Sequence, residues 1–293
     1  MGGVADRRTR WAASTPRRVE VTPRVLEVLK ACDVVRFSRS SWLFAKVSQT
    51  HHIQNQTNFL KLLKKIYDRG LIGKVDTRKH LPNAAYQPDV YFITPLGEQT
   101  LIDHGIKLAQ SVFGSDLAPP KLFLHSLMVC DIIHSVNLGA QLITQDQILA
   151  KAPVKDLRIA LQAGNLKPDA LFGIRRQDGS VGFFALEADR GTESHRVIRL
   201  KLQKYLELIK QTPTPLYNKH WGIPNCWPLF VTTSLSRAEN MKKHLLDLTG
   251  GRGNSAILFK AWKGTASEKP PATPDIITDP WARAGYPTLT LTA

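Results

Sequence analysis

Only three cysteines occur in 293 residues, Cys32, Cys130 and Cys226. They lie far apart and form no CxxC pair. A disulfide framework and a cysteine-ligated zinc module are therefore excluded, and the three read as small buried hydrophobes in a reducing compartment. Long apolar runs are missing too. No stretch approaches the roughly 18 apolar residues of a membrane span, and no apolar segment follows the Arg-rich N-terminus, so neither a span nor a signal peptide is expected. Gly250-Gly251-Arg252-Gly253 follows a helical stretch rather than a strand and lacks the P-loop lysine pattern, so it reads as a C-cap and turn. The six tryptophans are scattered and form no stacking stripe for single strands.

Negative charge is also in short supply: 24 Asp/Glu face 40 Lys/Arg, for a formal net charge of +16. The excess is uneven. Residues 1–79 hold 17 Lys/Arg against 6 Asp/Glu, a balance of +11 in the first quarter of the chain. A concentrated positive field attracts polyanions and speeds encounter with them. No basic amphipathic helix with exposed aromatics is visible, so nucleic acid is preferred over a membrane surface as the partner.

The first quarter also carries a recognisable order of elements. Residues 1–20 read as a flexible basic arm. Thr22-Pro23 opens a helix through about Phe37, and Ser38 to Ser41 cap a second, Trp42 to Val47. Thr57 caps a third helix, Asn58 to Arg69, whose Phe59, Leu63 and Ile66 form one apolar stripe, with Gly70 as its C-cap. Two β-prone runs follow, Leu71 to Val75 and Val90 to Thr94, then a helix from Thr94-Pro95 to near Gly105. This is the layout of a winged helix-turn-helix domain, which the phrases RGLIGKVD and VYFITPLGEQTL resemble. The third helix would then enter the major groove, with Asn58, Lys61 and Lys65 on its outer face and Arg78, Lys79 and His80 in the wing. The winged-helix DNA-binding domain is assigned to 21–112 and a linker to 113–120. A second domain spans 121–264, and 265–293 is a Pro/Thr-rich extension that wraps the surface or is partly disordered.

The second domain begins with a helix, Leu122 to Leu142, and centres on an acidic hairpin. Residues 167–174 (KPDALFGI) and 181–189 (VGFFALEAD) read as strands around the turn RRQDGS. A turn centred near Asp178 sets Asp169 opposite Glu187 to within one position. Glu187 and Asp189 share a face because strand side chains alternate. Three carboxylates would converge, and like charges this close call for a cation; Mg²⁺ or Mn²⁺ suits all-oxygen ligation. In the following helix, 193–210, Ile198, Leu202, Tyr205 and Ile209 define an apolar arc, and Lys201 falls inside it. A lysine there needs a charged partner, and the hairpin end offers one. His51-His52 are adjacent rather than spaced, and Tyr205 sits in the apolar stripe, which disfavours a tyrosine relaxase.

Pro168-Asp169 followed by Glu187-x-Asp189 resembles the PD-(D/E)xK motif, with Asp189 where the motif has lysine and Lys201 in the position of a lysine migrated to the next helix. More narrowly, the chain resembles the replication-relaxation family of plasmid and mobile-element proteins. The residues that carry this are His125-Ser126-Leu127 with Asp131, KPDALF (167–172), FFALEADRGTE (183–193), KLQKY (201–205), LFVTTSLSRAENM (229–241) and Pro280-Trp281. The resemblance covers about 21–290. It implies an α+β protein, a winged helix followed by a restriction-endonuclease-like α/β domain, in the bacterial cytoplasm. It further implies metal-dependent nicking of double-stranded DNA at an origin-like site in replication or mobilisation. Asp169 and Glu187 would hold the metal, Asp189 would be a third metal ligand or stand just outside the ligands, and Lys201 would be the charge-stabilising catalytic residue. Replication or transfer proteins and a second copy of the chain are further candidate partners. His125 and Asp131, on the domain's first helix, fit a structural role at least as well as a catalytic one. The alternative is a non-enzymatic DNA-binding replication or transcription factor with a degenerate nuclease fold.

Overall fold

The computed structural model describes residues 20–80, 83–109, 120–210, 213–262 and 271–292. The basic arm and the linker of the sequence reading lie almost wholly outside them. The fold is mixed α+β.

Helix α1, Pro23–Asp33, starts where Thr22 Oγ1 accepts the Val25 amide and Pro23 presets the first turn. It ends at Asp33, short of the expected Phe37. Ser38–Arg39 then form a short strand, β1, instead of a cap, because Arg39 and Ser38 pair with Val90 and Tyr91. Helix α2 is consequently longer than expected, Ser40–His51. Asn55, not Thr57, caps α3 through the Asn58 amide, so α3 runs Gln56–Asp68. Strands β2, Ile72–Lys74, and β3, Val90–Ile93, pair antiparallel and complete a three-stranded sheet of order β1-β3-β2. Helix α4, Pro95–Asp103, closes the unit, its Thr94 cap accepting the Gly97 amide. Gly97 is required there: a Cβ would stand 2.2 Å from the Leu71 carbonyl oxygen.

Helix α5, Pro120–Gly139, leads into β4, Gln141–Ile143, and the short α6, Gln145–Leu149. The hairpin follows as β5, Ala170–Arg175, and β6, Val181–Asp189. Next come α7, His195–Leu208; α8, Leu216–Trp221; β7, Trp227–Thr232; α9, Leu235–Leu248; and β8, Asn254–Ala261. The chain ends with α10, Asp275–Thr278, β9, Trp281–Ala284, and β10, Tyr286–Leu289. The seven strands order as β10-β9-β8-β7-β6-β5-β4. Pairs β6–β7 and β7–β8 are parallel, with α7 and α9 as crossovers, and the other pairs are antiparallel.

Alternation along the central strands makes three layers. Phe172, Phe184 and Leu186 pack with α5 residues such as Leu127 and Ile133. Leu171, Ala185 and Phe230 face Ile198, Leu202 and Tyr205 of α7 and Met241 and Leu245 of α9. The end of the chain is not a surface wrap, contrary to the sequence reading. Trp281 is fully buried, donates its indole N–H to the Ile276 carbonyl at 2.8 Å and belongs to a sheet strand. Proline and threonine dominate the composition there, and the few apolar residues that anchor the segment were outweighed.

The N-terminal unit and the large sheet share a core through α5. Val35, Phe37, Trp42, Val75 and Val90 belong to the same apolar cluster as Phe123, Leu127 and Ile133. Within it Asp131 accepts from Arg39 Nε at 3.0 Å and Trp42 Nε1 at 2.7 Å, with all three residues buried. His134 Nε2 meets Ser38 Oγ at 2.9 Å, and its ring stacks on Trp42. Asp131 is thus a structural residue that fastens α2 and β1 to α5.

Candidate active site

The hairpin register places the first two acidic residues. Ala170 pairs with Leu186 and Arg175 with Val181, so Asp169, one step before the strand, lies across from Glu187. The Asp169 amide donates to the Leu186 carbonyl at 2.9 Å, and its Oδ2 accepts the Ala188 amide at 2.8 Å. These two backbone bonds fix the carboxylate at the open end of the hairpin. On its other side His125 Nε2, from α5, stands 3.0 Å from Asp169 Oδ1. The hydrogen bond to Asp169 raises the His125 pKa against a burial effect that lowers it.

Glu187 is 3% exposed on β6 and has both oxygens engaged. Oε1 accepts the Tyr205 hydroxyl at 2.7 Å, and Oε2 lies 2.8 Å from Lys201 Nζ. Helix α7 supplies both partners four residues apart, on one face. Lys201 Nζ also reaches Glu193 Oε1 at 2.6 Å, in the loop before α7. Two carboxylates, Glu187 and Glu193, therefore hold one ammonium, and the Asp169 charge acts on it as well. Burial and the Asp169 charge push Glu187 up to about 7, against the pull of Lys201. Burial alone would lower Lys201; Glu187 and Asp169 outweigh it and hold the ammonium above its ordinary range. Glu193 Oε2 is buried and has no hydrogen-bond partner among the described residues.

Asp189 has partners of its own. Its Oδ1 accepts the Gly191 amide at 3.0 Å, and its Oδ2 accepts Thr232 Oγ1 at 3.1 Å and the Arg237 guanidinium. Arg237 also donates to the Glu193 carbonyl. Asp189 shares the face of Glu187 as alternation requires, but β7 and α9 present it with a hydroxyl and a cation that the hairpin alone does not reveal. Among the described residues no three His, Cys, Asp or Glu side chains are gathered as a metal cage. The donor chemistry still suits a hard divalent cation, which Mg²⁺-type sites hold through one or two carboxylates and several waters. Asp169 and Glu187 are all-oxygen donors, the local charge is negative, and the Glu193 oxygen beside them lacks a donor.

The basic candidates occupy the N-terminal unit. Asn58, Lys61 and Lys65 are exposed on α3, opposite buried Phe59, Leu63 and Ile66. Arg78 is exposed and only loosely paired with Asp76 at 3.8 Å. Lys79 lies in the same turn, Thr77–Lys79, and its side chain is outside the described atoms. The His80 ring lies 4.7 Å from that of Phe123 of α5, tilted by 37°, rather than pointing away from the body of the protein. Glu193, Thr232 and Arg237 were not distinguished as site residues by sequence reasoning; the quoted motifs contain all three but give them no role.

The sequence model of the replication-relaxation family matches residues 29–220, from α1 through α8. The chain belongs to the replication-relaxation family. The matched span of this family member contains His125, Asp169, Glu187, Glu193, Lys201 and Tyr205, but not Arg237. No curated protein and no solved structure matches the chain. No helix among the described residues is long and apolar enough to cross a membrane.

Proposed function

We propose that this replication-relaxation protein binds double-stranded DNA at an origin-like site of a plasmid or mobile element and nicks it with the help of a divalent metal. In this reading residues 21–112 form a winged helix and the large sheet is a PD-(D/E)xK nuclease domain. The element order α5-β4-β5-β6-α7-β7-α9-β8, with the acidic pair on the β5–β6 hairpin, supports the second assignment. The order α1-β1-α2-α3-β2-β3-α4 supports the first. Helix α2 packs on α5, its Lys46 donating to the Asn137 carbonyl at 2.8 Å, which leaves the outer face of α3 open for the major groove.

The observation that carries the nuclease reading is Lys201 at 2.8 Å from Glu187, with Asp169 across the hairpin. Mg²⁺ or Mn²⁺, held by Asp169 and Glu187, would supply Lewis acidity toward a scissile phosphate and its attacking water. Lys201, once a phosphate competes with the carboxylates for its ammonium, opposes the charge that develops on the phosphoryl oxygens. Tyr205 and His125 hold the two carboxylates in place. Asp189 is assigned no ligand role; with Arg237 it fixes the loop that delivers Glu193.

The decisive experiment is nicking of supercoiled DNA carrying the element's own origin, in Mg²⁺ or Mn²⁺, by wild type and Glu187→Gln. Metal-dependent relaxation lost in the variant supports the reading. Origin binding without cleavage by either protein favours a non-enzymatic replication or transcription factor. The closed Glu187–Lys201–Glu193 cluster, in which two carboxylates already engage the Lys201 ammonium, is the feature that would favour it.

A further inference from the structure

A cleft of about 400 Å³ opens beside the acidic pair, between α5, α6 and the segment 155–169. His125 and Asp169, in contact with each other, are part of its lining. Leu149, Leu157 and Pro168 give that lining an apolar part. Lys155 and Lys167 line it, both exposed and neither ion-paired among the described residues. Asp156 also lines the cleft, but its Oδ1 accepts the Arg158 amide at 2.9 Å and its carbonyl accepts from His220 and Trp221.

These features suit different parts of one ligand. A duplex backbone lying on a surface calls for cations but no apolar recess, whereas a planar base calls for apolar walls. Pockets of this size accept a small molecule or a single nucleotide unit. Two lysines without partners supply the cations that a phosphodiester on either side of that base requires.

We propose that the cleft receives one unpaired nucleotide of the DNA strand processed at Asp169 and Glu187. Its base rests on Leu149, Leu157 and Pro168, and its phosphates are held by Lys155 and Lys167. The proposal rests on the nuclease reading for the identity of the strand, and it assigns the large sheet a preference for locally melted DNA. Duplex binding by α3 and strand capture by the cleft are then separate events on one protein.

The test uses the full chain without added metal, so binding is read apart from cutting. A short single-stranded oligodeoxynucleotide carrying one fluorescent base analogue is titrated against wild type and Lys155→Ala/Lys167→Ala at several salt concentrations. The expected result is quenching of the analogue by wild type and roughly tenfold weaker binding by the double variant. Its salt dependence should be shallower by about 1.4, at about 0.7 per phosphate contact. Duplex origin binding should be unchanged. Equal affinity and equal salt slope in both proteins would overturn the proposal. So would efficient displacement of the oligonucleotide by free deoxyadenosine monophosphate, which would make the cleft a site for free nucleotide. A lysine-dependent strand with no nicking by wild type would sink the nuclease reading while the cleft assignment stands.

Discussion

Tyr205 on α7 donates its hydroxyl proton to Glu187 on β6 at 2.7 Å, and both residues are almost wholly buried. The bond holds a charge-bearing strand residue against the helix, with Phe230 standing edge-on to the Tyr205 ring. Tyr205→Phe keeps the ring and deletes the donor. Removing one partner of a buried hydrogen bond costs about 1–3 kcal/mol. Urea unfolding should show a lower midpoint with an unchanged slope; an unchanged midpoint would mean the bond contributes nothing.

A larger penalty is expected where the two halves of the chain meet. Arg39 and Asp131 are 7% and 3% exposed at their side chains. Leaving either charge buried without the other costs about 3–5 kcal/mol, whereas an apolar pair of similar volume is often neutral. Arg39→Met and Asp131→Leu should each destabilise strongly, and the double substitution should recover most of the loss. A double-mutant cycle with strictly additive effects would contradict this account.

Burial pushes His134 down to about 3, with Lys46 adding to the effect, so it is neutral in the folded protein. In the unfolded chain it titrates near the ordinary histidine value of about 6.5. Between these values the unfolded state binds the extra proton, so its contribution to stability is complete above about 6.5 and is lost as pH falls toward 3. Thermal unfolding of His134→Gln, compared with wild type across that window, should show a weaker acid dependence. A pH-independent difference between the two proteins would refute it.

If α3 reads DNA, its lysines act through phosphates. Lys61→Ala and Lys65→Ala should each reduce the salt slope of duplex binding by about 1, with similar loss for specific and unrelated sequences. Asn58→Ala should instead narrow the gap between the two. Gel-shift titrations at several salt concentrations separate these outcomes.

What the sequence disclosed follows from the range of the interactions concerned. The β5–β6 register was readable because a tight turn and period-two alternation are local, and Ala170 does pair with Leu186. Lys201 stood out because an ammonium in an apolar arc needs a partner. The partners of Asp189 were not legible, because Thr232 and Arg237 reach it from 43 and 48 residues away and no local pattern announces them. Ser38 and Arg39 read as cap residues because their pairing with β3 spans some fifty positions of chain. The final strands were missed for the same reason: β9 gains its place from β8, while its own composition suggests a loop.

Helix α5 carries His125 at the acidic site and Asp131 at the junction with the N-terminal unit. At 1.5 Å per residue those positions are about 9 Å apart along one straight rod. The span is rigid and short, so if α3 grips DNA as proposed it acts as a ruler, leaving one stretch of backbone within reach of Asp169. Base pairs inserted between the gripped sequence and the nick should therefore abolish cutting rather than move it.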